Sequence, residues 1–341
     1  MNKKVRIIDT CMRDGSHAIH HTYTPKIISA ACKGLEKAGI YAVEVGHGAG
    51  LNGSLLQYGL AKCSDYELLT AARAQLKNTK LATLFCPGIA TMKDMKEARE
   101  WGLDMVRVAV HCSEVDLGET HIIGAKKLGL ETICFAMMCH VIDVNELVQN
   151  ALKAKSYGAD VFYMADSAGA FTPQDIRERV AALKDATGLP IGVHTHNNLG
   201  LGVGNAIAAV EAGADYVDGA LQGLGAGSGN ANTQALIAAL EKMNVETGAN
   251  FYTLCEVADK VIVPIIQEPI EVTSESATLG NVGIYSSFYL NTLKASKKFG
   301  IPYRVIFEEL GRRKVIGGQE DMILDICYNM MNRGKEELEA Q

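Results

Sequence analysis

Short runs of β-branched and apolar residues recur along the chain as VRIIDT (5–10), AVEVG (42–46), LATLFC (81–86), MVRVAV (105–110), TICFAMM (132–138), VFYMADS (161–167), IGVHTH (191–196) and YVDGAL (216–221), with starts 24 to 39 residues apart. Each reads as nearly continuously apolar, the mark of a parallel strand covered on its outside, and helix-like stretches rich in Ala, Leu, Glu and Lys lie between them. Many of those stretches close on a glycine just before the next strand: Gly39, Gly102, Gly129, Gly158 and Gly213. Glycine adopts the left-handed conformation that ends a helix without a Cβ penalty. Eight strand–helix units over about 240 residues predict a (β/α)8 TIM barrel. An open doubly wound sheet is the alternative, but the first strand is not followed by the GxGxxG turn such sheets usually carry. After residue 240 the pattern changes, and 252–267, 286–299, 303–313 and 319–340 read as helices. The expected organisation is a catalytic barrel over 1–264 and a smaller helical C-terminal domain over 265–341.

Composition narrows the function classes. The chain is 48% apolar and 21% charged, an ordinary globular balance. With 33 basic against 39 acidic residues and a net charge of -6, no nucleic-acid surface is expected, and a single Trp argues against a stacking platform for single strands. Nine scattered cysteines with no CxxC pair fit reduced thiols in a cytoplasmic protein, not a disulfide framework or structural zinc. Asp9 interrupts the N-terminal apolar run too early for a signal peptide. The longest uncharged stretches, near 191–210 and 219–240, are too rich in Asn, Gln, His and Gly to span a membrane.

Barrel chemistry sits at the C-terminal ends of the strands. There the chain places Cys11-Met12-Arg13-Asp14-Gly15-Ser16-His17, then Glu44 and His47, His111, His140, Asp166-Ser167, and His194-Thr195-His196-Asn197-Asn198. His194 and His196 are two apart on a strand, so both leave the same face, as two ligands of one metal require. A third ligand should come from a neighbouring strand end, with Asp14 the first candidate and Asp9, Glu44 and Asp166 behind it. Two imidazoles and a carboxylate leave open positions on a divalent ion able to polarise a carbonyl. Arg13 offers a planar fork for a carboxylate or a developing enolate. His17 is a candidate general base, with His20 and His21 as rivals. No strand end carries a lysine for Schiff-base chemistry. The glycine-rich run LQGLGAGSGNAN (221–232) reads as close backbone packing in preference to a phosphate loop, since it lacks GK[ST].

The motifs DTCMRDGSHA, HTHNNLGLGVGNA and VDGALQGLGAGSGNANTQAL, with VEVGHGAGL, VRVAVHCSE, ADSAGAFTP and GNVGIYSSF in the same order, resemble the 4-hydroxy-2-oxovalerate aldolase family. That family belongs to the group of barrels typified by hydroxymethylglutaryl-CoA lyase and isopropylmalate synthase. The resemblance implies a metal-dependent (class II) aldolase that cleaves 4-hydroxy-2-oxopentanoate to pyruvate and acetaldehyde, the pyruvate enolate being held at the metal. It implies Asp14, His194 and His196 as ligands of manganese (Mn2+), with magnesium or cobalt as other divalent candidates. It further implies Arg13 at the enolate, His17 as the base for the C4 hydroxyl, and Ser167 and Tyr285 as substrate contacts. An oligomer is expected, with an acylating acetaldehyde dehydrogenase docked on the C-terminal helices. Asn197 stands where the family usually has a further histidine, and Cys11-Met12 where Thr-Leu is usual. The alternative within the same group is a Claisen-type acyl-CoA synthase or lyase. A non-haem iron oxygenase and a non-enzymatic partner subunit are the more distant alternatives.

Overall fold

The computed structural model describes residues 4–339, with side chains described through 332; residues 1–3 and 340–341, at the outer ends of the two expected domains, lie outside the described residues. Eight parallel strands close into a barrel in sequence order: β1 (Arg6–Asp9), β2 (Ala42–Glu44), β3 (Lys80–Phe85), β4 (Met105–His111), β5 (Glu131–Met137), β6 (Val161–Asp166), β7 (Ile191–Thr195) and β8 (Tyr216–Gly219). The ring closes because β1 pairs with β2 on one side and β8 on the other. Helices α1 (Pro25–Ala38), α2 (Asp65–Arg73), α3 (Met92–Glu100), α4 (Glu119–Lys127), α5 (Val144–Ser156), α6 (Pro173–Thr187), α7 (Gly202–Ala212) and α8 (Thr233–Lys242) follow the strands in turn. The expected barrel is therefore the observed one.

Local sequence accounts for these elements. In α1, Thr24 caps the Ile27 amide, Pro25 pre-sets the first turn, and Gly39 ends the helix at φ 78°. Ile28, Ala31, Cys32, Leu35 and Ala38 make its buried face, at the three- and four-residue spacing that one side of a helix presents. The strands alternate between two cores. On β4, Val106, Val108 and Val110 face the helices, while Met105 and Ala109 point into the barrel. Arg107 shares that inward face and is fully buried, its guanidinium 4.4 Å from the Phe135 ring centre and 4.5 Å from that of Tyr163.

Past the barrel, α9 (Phe251–Val257) packs against α1 and runs on through a π-helical turn, Ala258–Ile262, and a 3-10 turn, Val263–Ile265. The expected helix 252–267 thus changes geometry part-way, where Pro264 cannot donate to an α-helical ladder. Four helices follow: α10 (Ser274–Val282), α11 (Phe288–Phe299), α12 (Tyr303–Arg312) and α13 (Met322–Glu339). Leu279, Phe288, Ile306, Phe307, Leu310, Ile323 and Ile326 give them a core of their own. Truncating a buried Ile costs ~2–5 kcal/mol. Ile326→Ala is therefore expected to unfold these helices at lower urea, followed by circular dichroism, while the barrel unfolds as in the wild type. Among the described residues no helix is long and apolar enough to cross a membrane.

Candidate active site at the barrel mouth

After β1 the chain tightens at once. The amides of Arg13 and Asp14 both donate to Thr10 O (3.1 and 2.9 Å), and a 3-10 turn, Asp14–Ser16, follows. This turn sets the Arg13 and Asp14 side chains over the barrel mouth, where His194 of β7 and His196 just beyond it also arrive. One ligand atom from each of Asp14, His194 and His196 lies within 4.8 Å of the others, and all three residues are buried. The two Nε2 atoms face each other at 3.3 Å. His194 Nδ1 is engaged by Asp218 Oδ2 at 2.7 Å. If that nitrogen carries the proton, as a carboxylate partner favours, Nε2 is left as a bare lone pair.

The protonation states suit a cation. Burial pushes His196 down to about 4, with Asp14 opposing and His194 and Arg13 adding to the shift, so its ring is neutral at pH 7. Burial alone would raise the Asp14 carboxyl, but Arg13, His196, His194 and His17 together hold it well below the usual carboxylate range. Metal ligands must be deprotonated in this way. A carboxylate and two imidazoles whose Nε2 atoms face each other form a donor set that fits a divalent ion.

Asp14 is further held by its neighbour Arg13 and by two groups far away in sequence. Arg13 Nη1 donates to Oδ1 at 2.5 Å, Asn230 Nδ2 donates to Oδ2 at 2.7 Å, and the Ala226 amide reaches Oδ2 at 3.4 Å. The glycine-rich run delivers the last two of these donors. A Cβ on Gly229, at φ 80°, would lie 1.9 Å from Gly223 O, so the segment is the close backbone packing its composition suggests.

The rival ligand candidates are occupied elsewhere. Asp9 accepts from the Thr233 hydroxyl and the Cys11 amide; Asp166 accepts from the Ala170 and Phe171 amides; Glu44 accepts from Arg13 and Arg107. Of the rival bases, His20 is exposed, and His21 is stacked on His47 with ring centres 3.7 Å apart. His17 packs against Gly48 and feels both Asp14 and Arg13. It lines a cavity of about 420 Å³ with Leu84, Cys86, Ala109, Met137 and Tyr285. Ser167 Oγ accepts from the Met138 amide at 3.1 Å, and Ser167 O accepts from the Ser286 amide and hydroxyl, tying the Tyr285 segment to the barrel. His140 stands apart from this cluster; its Nε2 lies 2.9 Å from Gly283 O and joins the barrel to the C-terminal helices. Asn197 Oδ1 accepts from the Gly202 amide at the start of α7 and stays outside the cluster.

Comparison with known proteins decides the family. A family model described as HMGL-like matches residues 4–261, and one described as a DmpG-like communication domain matches 270–332. The 4-hydroxy-2-oxovalerate aldolase of Carboxydothermus hydrogenoformans is 48% identical over 98% of this chain and 100% of its own length. The chain belongs to the HMGL-like family and, within it, to the 4-hydroxy-2-oxovalerate aldolases. The aldolase of that name from Moorella thermoacetica is 47% identical over 97% of this chain and 98% of its own. These aldolase relatives favour the aldolase reading over the acyl-CoA alternative. The carboxyl transferase domain of Rhizobium etli pyruvate carboxylase shares the fold, with a TM-score of 0.80 at 18% identity over 97% of this chain and 60% of that one.

Asp218, Tyr163, Arg107 and Asn230 were not singled out by the sequence. Arg107 and Asp218 carried a usable signal, a charged residue inside an apolar strand run.

Proposed function

We propose that the protein is a divalent-metal-dependent aldolase that cleaves 4-hydroxy-2-oxopentanoate to pyruvate and acetaldehyde. The observation that carries this reading is the convergence of Asp14, His194 and His196 with Arg13 hydrogen-bonded to the Asp14 carboxylate. A divalent ion held by these three residues, manganese or else magnesium or cobalt, supplies Lewis-acid polarisation of the 2-oxo group.

The chain's own groups do the rest. His17 takes the proton from the C4 hydroxyl. As the C4 carbonyl forms, the C3–C4 bond breaks and its electron pair moves into the enolate of pyruvate; C3 then takes a proton from solvent to give pyruvate, and His17 returns its proton to solvent. Arg13 faces the negative charge that appears on the 2-oxo oxygen; burial opposes its charge, but Glu44 and Asp14 outweigh that and keep it ionised. Ser167 and Tyr285 contact the substrate, and the Ser167 hydroxyl, already accepting from Met138, retains its own proton to donate. The C-terminal helices, assigned here to a domain beginning near 265, dock an acylating acetaldehyde dehydrogenase in an oligomeric assembly. The communication-domain match over 270–332 supports this.

The test supplies manganese with either 4-hydroxy-2-oxopentanoate or a CoA thioester. Release of pyruvate and acetaldehyde from the former is expected; turnover of the thioester alone would reverse the assignment. A second outcome follows from His17. Burial pushes it below the ordinary histidine value, with Arg13 adding to the shift and Asp14 and the Gly48 backbone opposing. A base works deprotonated, so kcat/KM should fall as pH drops through a midpoint below ~6.5. His17→Ala should lose ~10²–10⁴ in kcat together with that acidic limb.

A further inference from the structure

Beneath the three-residue cluster, a chain of acidic and basic side chains crosses the barrel interior. Arg13 Nε donates to Glu44 Oε2 at 2.8 Å, and Arg107 Nη1 donates to the same oxygen at 3.0 Å. Arg107 Nη2 donates to Asp218 Oδ2 at 2.6 Å, the oxygen that lies 2.7 Å from His194 Nδ1. The Tyr163 hydroxyl closes the set on Asp218 Oδ1 at 2.6 Å. Arg107, Glu44 and Asp218 side chains are at most 1% exposed.

Interiors of such barrels are ordinarily filled by branched aliphatic side chains. Buried ion pairs carry a desolvation cost that their attraction often fails to exceed, so stability alone is a poor account of this network. Its geometry is directed. The Arg107 guanidinium carbon lies 4.4 Å from the Phe135 ring centre and 4.5 Å from that of Tyr163, and its Nε has no partner among the described residues, so the two terminal nitrogens alone meet the two carboxylates. Gly192 makes room for this: a Cβ there would come within 2.0 Å of the Tyr163 ring.

We propose that Arg107 is a positioning residue for the aldolase site, one guanidinium orienting Arg13 through Glu44 and His194 through Asp218. It holds the group that faces the enolate and the metal ligand set in a fixed relation. A lysine keeps the charge but cannot address both carboxylates with a planar fork. The inference rests on the proposed aldolase reading.

The experiment uses the full chain with Mn2+ as probe and two readouts: Mn2+ affinity by electron paramagnetic resonance titration, and proton exchange at pyruvate C3 at saturating Mn2+. Asp218→Asn is expected to weaken Mn2+ binding by about 10–100-fold, the usual range for a group supporting a metal ligand, and to slow exchange at saturating Mn2+ by a smaller factor. Glu44→Gln should show the converse, slower exchange with near wild-type affinity. Arg107→Lys should lose both. A folded Arg107→Lys protein with only a lowered thermal midpoint, and wild-type affinity and exchange, overturns the proposal. If Arg107→Lys does not fold, the other two variants decide, and wild-type values in both overturn it equally. Wild-type protein that fails to bind Mn2+ is a separate result, which removes the metal reading itself.

Discussion

Alanine in place of His194 or His196 is expected to lower pyruvate release from 4-hydroxy-2-oxopentanoate by about 10³-fold or more at ordinary manganese levels. Lewis-acid stabilisation is worth several kcal/mol, and each 1.4 kcal/mol is roughly tenfold in rate. The two rings converge from a single strand face, and Asp14 is the carboxylate that joins them in the cluster. Losing either ring leaves two ligands, one of them a carboxylate already shared with Arg13 and Asn230. Mn2+ titration should show binding lost in step with turnover. A variant that retains wild-type affinity would show that its ring is not a ligand.

Arg13 variants should be nearly as damaged, with a different signature. Removing one donor to developing oxyanion charge costs ~10²–10³ in kcat. Arg13→Lys keeps a positive charge but loses the planar fork that spans Glu44 and Asp14, so kcat should fall well below wild type while metal binding persists. Proton exchange at pyruvate C3 isolates the role, because it requires an enolate but no C4 hydroxyl. Arg13→Ala should lose that exchange, whereas His17→Ala should keep more of it. Exchange at the wild-type rate in Arg13→Ala would mean that Arg13 does not face the enolate.

The barrel was legible because its strands are buried on both sides and so read as apolar runs, each separated from the next by a helix, many of which close on a glycine. The metal ligands were legible to a point. The two-residue spacing of His194 and His196 announces a shared face, but the carboxylate stayed open among Asp14, Asp9, Glu44 and Asp166. The pleat separates two of these: Ile8 points into the barrel, so Asp9 points out, to Thr233. Glu44 does point inward, and only its two arginine partners remove it from the ligand set. Those partnerships join residues 31 and 63 positions apart, and the Arg107–Asp218 pair spans 111, distances at which no local pattern operates. Helix α10 was missed for the opposite reason. SESATLGNV is poor in strong helix formers, and the helix is set by its Thr273–Ser276 capping box and by Leu279 packing into the C-terminal core. Strand-end position also overstated His140, which serves the junction with the C-terminal helices.

The most direct test of the account is a titration of exhaustively chelator-stripped protein with Mn2+, following pyruvate release from 4-hydroxy-2-oxopentanoate. No release above background is expected without metal, with recovery that saturates at one equivalent per chain, and with His194→Ala and His196→Ala failing to recover over the same range. Full activity in the stripped protein would contradict it.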